Sequence, residues 1–432
     1  MNARLPFHAL ALWPLLLSAC GGGGGGDSSY MLGGTVSGLS SSGLVLSGGG
    51  QTVAVAAGAS NFSFGTAVSG SYTVTVQSQP VGQTCAVSNG SGSASGDVTS
   101  VSVVCRNYMA YVGNAAGYRI GQFSVASSSG ALTSQGVLAT VAPVAGLVFS
   151  SDGRFAYASH ANDAAVSAFA VSSTGALSLI GSVAAVADSR GLAISPDSAR
   201  VYVTNYTDKT ISQFSVNSST GALSALSTAK VATGSTPQAV ALTANGSFAY
   251  AANLGDNSVT QYSVGSGGSL AALSTASVST GTSGAQPVAL VASPDSGSLY
   301  VVAKGSARVL QYTIGSTGQL TAKSPASVAT GSTPLGIAMT PAGKCAYVAN
   351  SAEGTVSQFI VSGGLLTPLS TATVAAGTTP TGLAASPDGA HLYVSNAGDA
   401  TISQFSIGAA CALTALGAVA SGGNGPAAIA VR

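Results

Sequence analysis

Charge is what this chain has least of: Lys, Arg, Asp and Glu make up 6% of 432 residues, and the formal net charge is +1. Without a basic stripe or patch there is no electrostatic footprint for a phosphate backbone, which argues against nucleic acid as a partner. Acid/base groups are as sparse, with three His and a single Glu, Glu353. No Cys-x-x-Cys or His/Cys cluster occurs, so no metal site and no cofactor are expected. A nucleotide-binding loop and a serine nucleophile elbow are also missing from the sequence, which removes the commonest phosphoryl- and acyl-transfer machinery. Beyond the N-terminus the apolar residues alternate with Ser, Thr and Gly and do not form runs of membrane-spanning length, so no transmembrane helix is expected there.

The N-terminus reads as an address. Arg4 gives a short positive region, "LPFHALALWPLLL" an apolar segment too short to span comfortably, and "LSAC" a small-residue cleavage site ending at Cys20. This pattern resembles the lipobox of bacterial lipoproteins. The resemblance implies a signal peptide over residues 1–19, cleavage before Cys20, acylation of that cysteine and a membrane anchor of two or more chains. Gly21, where an Asp would signal retention, implies the outer membrane, with the protein facing the periplasm or the surface. The run "GGGGGGDSS" completes a flexible tether over residues 20–29, because Gly-rich chain has little to bury and much backbone entropy to lose. An ordinary secretory signal with a chance Cys is the alternative.

Four cysteines remain, an even number that suits an oxidising compartment. Cys85 and Cys105 fall in one presumptive domain and are expected to pair, closing a short loop for a stabilisation of roughly 3 kcal/mol. Cys345 and Cys411 pair only if the fold brings distant segments together. Residues 30–106 hold six short alternating runs, "GTVSGL", "GLVLSG", "QTVAVAAG", "NFSFGTAV", "YTVTVQ" and "VTSVSVVC", separated by turn residues, which predicts a small β-sandwich. It contains no His or Glu, so a spacer or docking role is expected of it.

The rest of the chain, residues 107–432, is a repeat. Tyrosines in "YVGN", "YASH", "YVTN", "YAAN", "YVVA", "YVAN" and "YVSN" begin at 111, 157, 202, 250, 300, 347 and 393. Before most of them stands a Pro-led apolar segment such as "PTGLAASPDG", after each comes a run ending in an aromatic such as "TISQFSIG", and a looser Ser/Thr-rich segment completes the unit. Four short strands per unit is the content of one propeller blade. The first Tyr has no Pro-led segment before it, while "GPAAIAVR" at the end of the chain is such a segment with no Tyr after it. Pairing the last strand with the blade that begins at Asn107 therefore restores a seventh blade and closes the ring, hiding sheet edges that would otherwise be exposed.

These units, and "LYVSNAGDATISQFS" above all, resemble the YVTN-type and lactonase-type seven-bladed propellers. The resemblance implies an all-β fold. It implies less about activity, because the family spans surface proteins of unknown role, 6-phosphogluconolactonases and lactonizing enzymes, and no catalytic motif of the family is matched residue by residue.

Chemistry is sought where the repeat breaks. Phe123, Phe169, Phe214, Tyr262, Tyr312, Phe359 and Phe405 share one slot and read as core between blades. Three residues after each Tyr stand Asn114, His160, Asn205, Asn253, Ala303, Asn350 and Asn396, and three further on an acidic slot that includes Asp163 and Glu353; turn capping explains both rings. One sector departs most. His160 replaces Asn, Ser189 replaces Pro, and Arg190 stands where Gln238, Leu335 or Thr381 stand elsewhere. His160, Asp163 and Arg190 are the candidate catalytic set, a base, its carboxylate and an anion clamp. Asp188, Asn205, Lys209, Glu353, Arg119 and Arg308 are candidate binding residues on the same face, a surface ion-pair cluster being the plainer alternative. His391 is expected at the opposite end of its strand, exposed. Two functions follow: a monomeric, membrane-anchored binding module for a protein or glycan, preferred on the scarcity of acid/base groups, and, as the alternative, a lactonase-like hydrolase with its site at the channel mouth.

Overall fold

The computed structural model describes residues 29–185, 188–281 and 284–432; the expected signal peptide, Cys20 and nearly all of the expected tether lie outside the described residues. Seven four-stranded antiparallel sheets follow one another from Met109 to Val431. In each, the innermost strand carries the Pro-led segment, the second the Tyr, the third the core aromatic, and the outermost the Ser/Thr-rich segment. The first blade is built from both ends of this region: Pro426–Val431 pairs antiparallel with Met109–Asn114, Ile429 opposite Val112 and Ala430 opposite Tyr111. The ring is thus closed by a strand from the far end of the chain.

The burial of each strand follows from its radius. The second strand has neighbouring blades against both faces, so it is buried along its length and reads as nearly continuous apolar sequence, as in Phe155–His160 and His391–Asn396. The outermost strand alternates with solvent or faces it outright. Innermost strands converge on the axis and use small residues. A Cβ added at Gly191 would lie 2.5 Å from the Cα of Ala239, and one added at Gly336 would lie 2.3 Å from the carbonyl oxygen of Thr381. Only glycine allows adjacent inner strands to approach so closely.

Blade-to-blade contact is made by two rings of hydrogen bonds that the repeat spacing alone does not reveal. Each of the seven Tyr hydroxyls donates to a carbonyl in the third-to-outer turn of the following blade: Tyr111 to Gly175, Tyr157 to Gly221, Tyr202 to Gly268, Tyr250 to Gly318, Tyr300 to Gly364, Tyr347 to Cys411 and Tyr393 to Gly130, at 2.6–3.0 Å. The second ring uses the Gln that precedes the core aromatic. Gln122, Gln213, Gln261, Gln311, Gln358 and Gln404 accept from the backbone N–H of Leu177, Leu270, Leu320, Leu366, Leu413 and Leu132 respectively. The core aromatics sit between blades as expected, Phe123, Phe359 and Phe405 among the most buried side chains of the chain.

Both disulfides are formed. Cys85 and Cys105 face one another across a strand pair with Cα atoms 3.9 Å apart. Cys345 and Cys411, 5.4 Å apart, join the sixth blade to the seventh. Cys411 occupies the slot that holds Gly in the other six blades and keeps its left-handed backbone, φ 66°.

Residues 29–107 form two four-stranded sheets around one hydrophobic cluster that includes Leu32, Leu46, Phe64 and Val101. Eight strands are present where six are expected. The two additional strands, Gln83–Ser88 and Ser91–Ala94, lie in a polar stretch with no apolar alternation to announce them; the first pairs with Val98–Asn107, Cys85 opposite Cys105, and the second with Gly70–Ser78 in the other sheet. The last strand of this module runs through Asn107, and a single buried residue, Tyr108, separates it from the first propeller strand.

The second blade alone has Ala168 where the others have the linking Gln. A cleft of about 140 Å³ lies there, bounded by Ala168, Val183 and Leu223. Ala168→Gln should fill it and supply the missing acceptor for Leu223, stabilising the propeller by about 1 kcal/mol. The urea midpoint should rise at unchanged slope; a fall would mean that the cleft cannot accept the side chain.

Candidate functional site

The turn after each second strand and the start of each inner strand lie at the same end of the channel, the face away from the N-terminal module. The mouth there is a basin of roughly 500 Å³. Two concentric slots of the repeat build it. The second residue of each inner strand forms the inner ring: Ala427, Ala145, Arg190, Gln238, Val288, Leu335 and Thr381. The residue after each Asn slot gives the outer ring, of which Ala115, Ala161, Leu254 and Lys304 line the basin. Blades one and two contribute only Ala to it, which leaves the space open beside blade three.

Blade three supplies the functional groups. Arg190 Nε donates to Asp188 Oδ1 at 2.9 Å and its Nη2 to Oδ2 at 3.3 Å, a two-point pair. The guanidinium also lies 4.4 Å from the ring centre of Tyr206, a stacking that holds it flat. Tyr206 is the outer-ring residue of its blade, and its N–H donates to the Asp188 carbonyl, fixing the loop that carries the carboxylate. Ser159 Oγ from blade two donates to the Arg190 carbonyl at 2.6 Å, and Thr204 Oγ1 accepts from Gly191 N–H at 2.8 Å. Asp188 stands in the slot that holds Thr236, Gln286, Thr333 and Thr379 in later blades, and shares their left-handed backbone. Across the ring, Lys304 opens a short 3-10 turn over Lys304–Ser306; no carboxylate among the described residues pairs with it.

Of the expected catalytic set, only Arg190 lines the basin. His160 is fully buried inside blade two, its Nε2 2.8 Å from Ser167 Oγ and its Nδ1 3.3 Å from the Ala142 carbonyl. It does what the Asn of other blades does. Asn205, Asn350 and Asn396 are as deeply buried and donate to Ser212, Ser357 and Ser403, each seven residues on. Burial lowers the His160 pKa, and Asp163 opposes that only in part. Asp163 accepts from its neighbour Ala164 in the turn and does not reach the basin.

The expected binding residues also divide. Asp188 does not itself line the basin; it is held against Arg190, with 18% of its side chain still exposed. Glu353 accepts from the backbone and hydroxyl of Ser332, bonds that lower its pKa and tie the loop entering blade six to the turn of the same blade. Asp256 and Asp399 make the same tie to Ser235 and Thr378, so Glu353 is a blade fastener. Asn205 is internal, and Lys209, Arg119 and Arg308 are exposed outside the basin. His391, expected to be exposed, is 8% accessible: Gly130 of the first blade covers it, and its ring stacks near Tyr393. Tyr206 was not among the expected site residues, and Lys304 was expected only as one more charge near this face. The signal for them was one position beyond the Asn slot, where the outer ring reads Ala115, Ala161, Tyr206, Leu254, Lys304, Ser351 and Ala397.

No metal-binding group of three or more His, Cys, Asp or Glu occurs among the described residues, and no helix among them is long and apolar enough to cross a membrane.

Residues 171–432 match the family model described as "Lactonase, 7-bladed beta-propeller". No curated protein is significantly similar to the chain. Among solved structures, a candidate 6-phosphogluconolactonase from Bacteroides fragilis is 21% identical, with a TM-score of 0.66 over 75% of this chain and 98% of its own. A second such candidate, from Bacteroides uniformis, is 21% identical with a TM-score of 0.65 over 75% and 99%. The periplasmic gluconolactonase of Pseudomonas aeruginosa is 18% identical with a TM-score of 0.65 over 75% and 98%.

Because His160 is held neutral by burial, its folded pKa lies below the ordinary value of about 6.5, and the unfolded chain binds the proton first as pH falls. Stability should therefore be full above about pH 6.5 and decline below it. His160→Asn, which restores the residue of five other blades, should flatten that decline. Urea midpoints at pH 7.5 and 5.5 test this: the wild type should lose more between them than the variant.

Proposed function

The chain belongs to the lactonase family of seven-bladed β-propellers, and we propose that it is a lactone hydrolase whose substrate enters the open basin beside Arg190. The observation that carries this reading is the Asp188–Arg190–Tyr206 cluster, set in blade three where the equivalent inner positions of all other blades are uncharged. A symmetric scaffold needs no such group for its own stability, since six blades do without it.

The chemistry asked of the site is modest. A lactone is an activated ester, and its opening needs a positioned water, relief of charge on the carbonyl oxygen and a proton for the leaving ring oxygen. Asp188 keeps lone pairs beyond those taken by Arg190 and can accept the proton of an attacking water. As the water oxygen bonds to the acyl carbon, charge moves to the carbonyl oxygen, where the Arg190 guanidinium stabilises it. The carbon to ring-oxygen bond then breaks, and the proton held by Asp188 passes to the alkoxide, leaving a hydroxy acid. Lys304 and Arg190 together suit a sugar lactone bearing an anionic substituent. Gluconolactone and its 6-phosphate are the natural first substrates, since similar structures carry those names. The signal-like N-terminus supports action outside the cytoplasm.

The preference for a binding module rests on the scarcity of acid/base groups, and a site that needs one carboxylate and two cations removes that objection. Hydrolysis should be followed by proton release above the uncatalysed rate. Asp188→Asn should lower kcat by roughly a hundredfold with KM little changed, and Arg190→Gln should raise KM as well. Undiminished turnover in Asp188→Asn, or no turnover of any aldonolactone by the wild type, would return the protein to the binding-module reading.

A further inference from the structure

The opposite end of the channel holds a second chamber, closed on one side by the N-terminal module. It measures about 540 Å³ and is lined mainly by apolar ends of inner strands, among them Leu147, Phe149, Ile194 and Ile429. Two arginines face into this greasy space, one from each module: Arg106 from the last strand of the N-terminal unit and Arg432 beyond the ring-closing strand. They flank the same point, for a Cβ built on Gly153 would meet Arg432 Nη1 at 2.9 Å and Arg106 Cδ at 3.8 Å. Neither belongs to an ion pair among the described residues.

Their present partners leave guanidinium capacity unused. Arg106 Nη1 donates to the Ser172 carbonyl, and Arg432 Nε donates to the Tyr111 hydroxyl. Arg432 Nη2 is buried with no hydrogen-bond partner. Asp152, the acidic side chain in the chamber lining, is engaged elsewhere: it accepts from Ser150, from the Arg154 backbone and from Arg154 Nε at 2.6 Å. Two like charges share a partly desolvated space: burial lowers the Arg106 pKa, the Arg432 charge beside it lowers it further, and Asp152 offsets part of that fall. Such a pair is the arrangement that an anion relieves.

We propose that this inter-module chamber binds a small organic carboxylate, its head held by Arg106 and Arg432 and its apolar body against the inner-strand ends. The chamber is distinct from the open basin and does not depend on the lactonase reading, although a ring-opened hydroxy acid has a carboxylate of the kind it would hold.

Titration of the full chain with octanoate by calorimetry tests the proposal, with inorganic phosphate as the second ligand. Octanoate should bind one to one and weaken with salt, and both Arg106→Gln and Arg432→Gln should weaken it by tenfold or more. Arg190→Gln, in the other mouth, should leave it unchanged. Arg106→Gln alters a partly exposed side chain, and an unchanged melting curve will show that its loss of binding is not loss of fold. Absence of binding at millimolar octanoate overturns the site, as does an effect of Arg190→Gln equal to that of Arg106→Gln. Phosphate binding as tightly as octanoate overturns the assignment to an organic carboxylate.

Discussion

The fold depends on seven buried phenolic hydroxyls, each reaching one blade ahead to a turn carbonyl. Burial raises the pKa of every one of these tyrosines, so the hydroxyl remains a donor at any physiological pH. Because Tyr393 of the seventh blade bonds to Gly130 of the first, the circuit has no loose end. The strand pairing at the junction of chain ends and the Tyr circuit close the same ring by independent means, one at small radius and one further out. The Cys345–Cys411 bridge adds a covalent link between the last two blades.

Against that regularity, blade two and blade three stand out together. Blade two has lost its Asn to His160 and its linking Gln to Ala168; blade three has gained Asp188, Arg190 and Tyr206. The losses are internal and bear on packing. The gains lie at the mouth and bear on ligands. Asymmetry in a repeat thus separates into two kinds by depth, and an uncommon residue is informative about function only once its radius is known.

That distinction explains what could be read from sequence. Blade number, closure and the core aromatics were legible because period and alternation report directly on strands. Arg190 was legible because its slot reaches the channel in every blade. His160 misled because a slot filled by Asn on a turn looks solvent-facing in sequence, whereas the side chain folds back seven residues along the third strand to Ser167. Tyr206 was missed because aromatic residues are expected in cores, and nothing in its neighbours "NYTD" announces an Arg stacked on it. The Tyr and Gln rings join residues some 55 to 68 positions apart, or across the closure, and no local pattern encodes that reach.

The chain enters the propeller through one buried residue, Tyr108, whose N–H is bonded back to Gly82 of the N-terminal module. So short a joint, bonded back on itself, sets the module against one pole of the disc, with the open basin at the other. The two mouths are thereby separated into a port that looks toward the N-terminal module and a port that looks away from it.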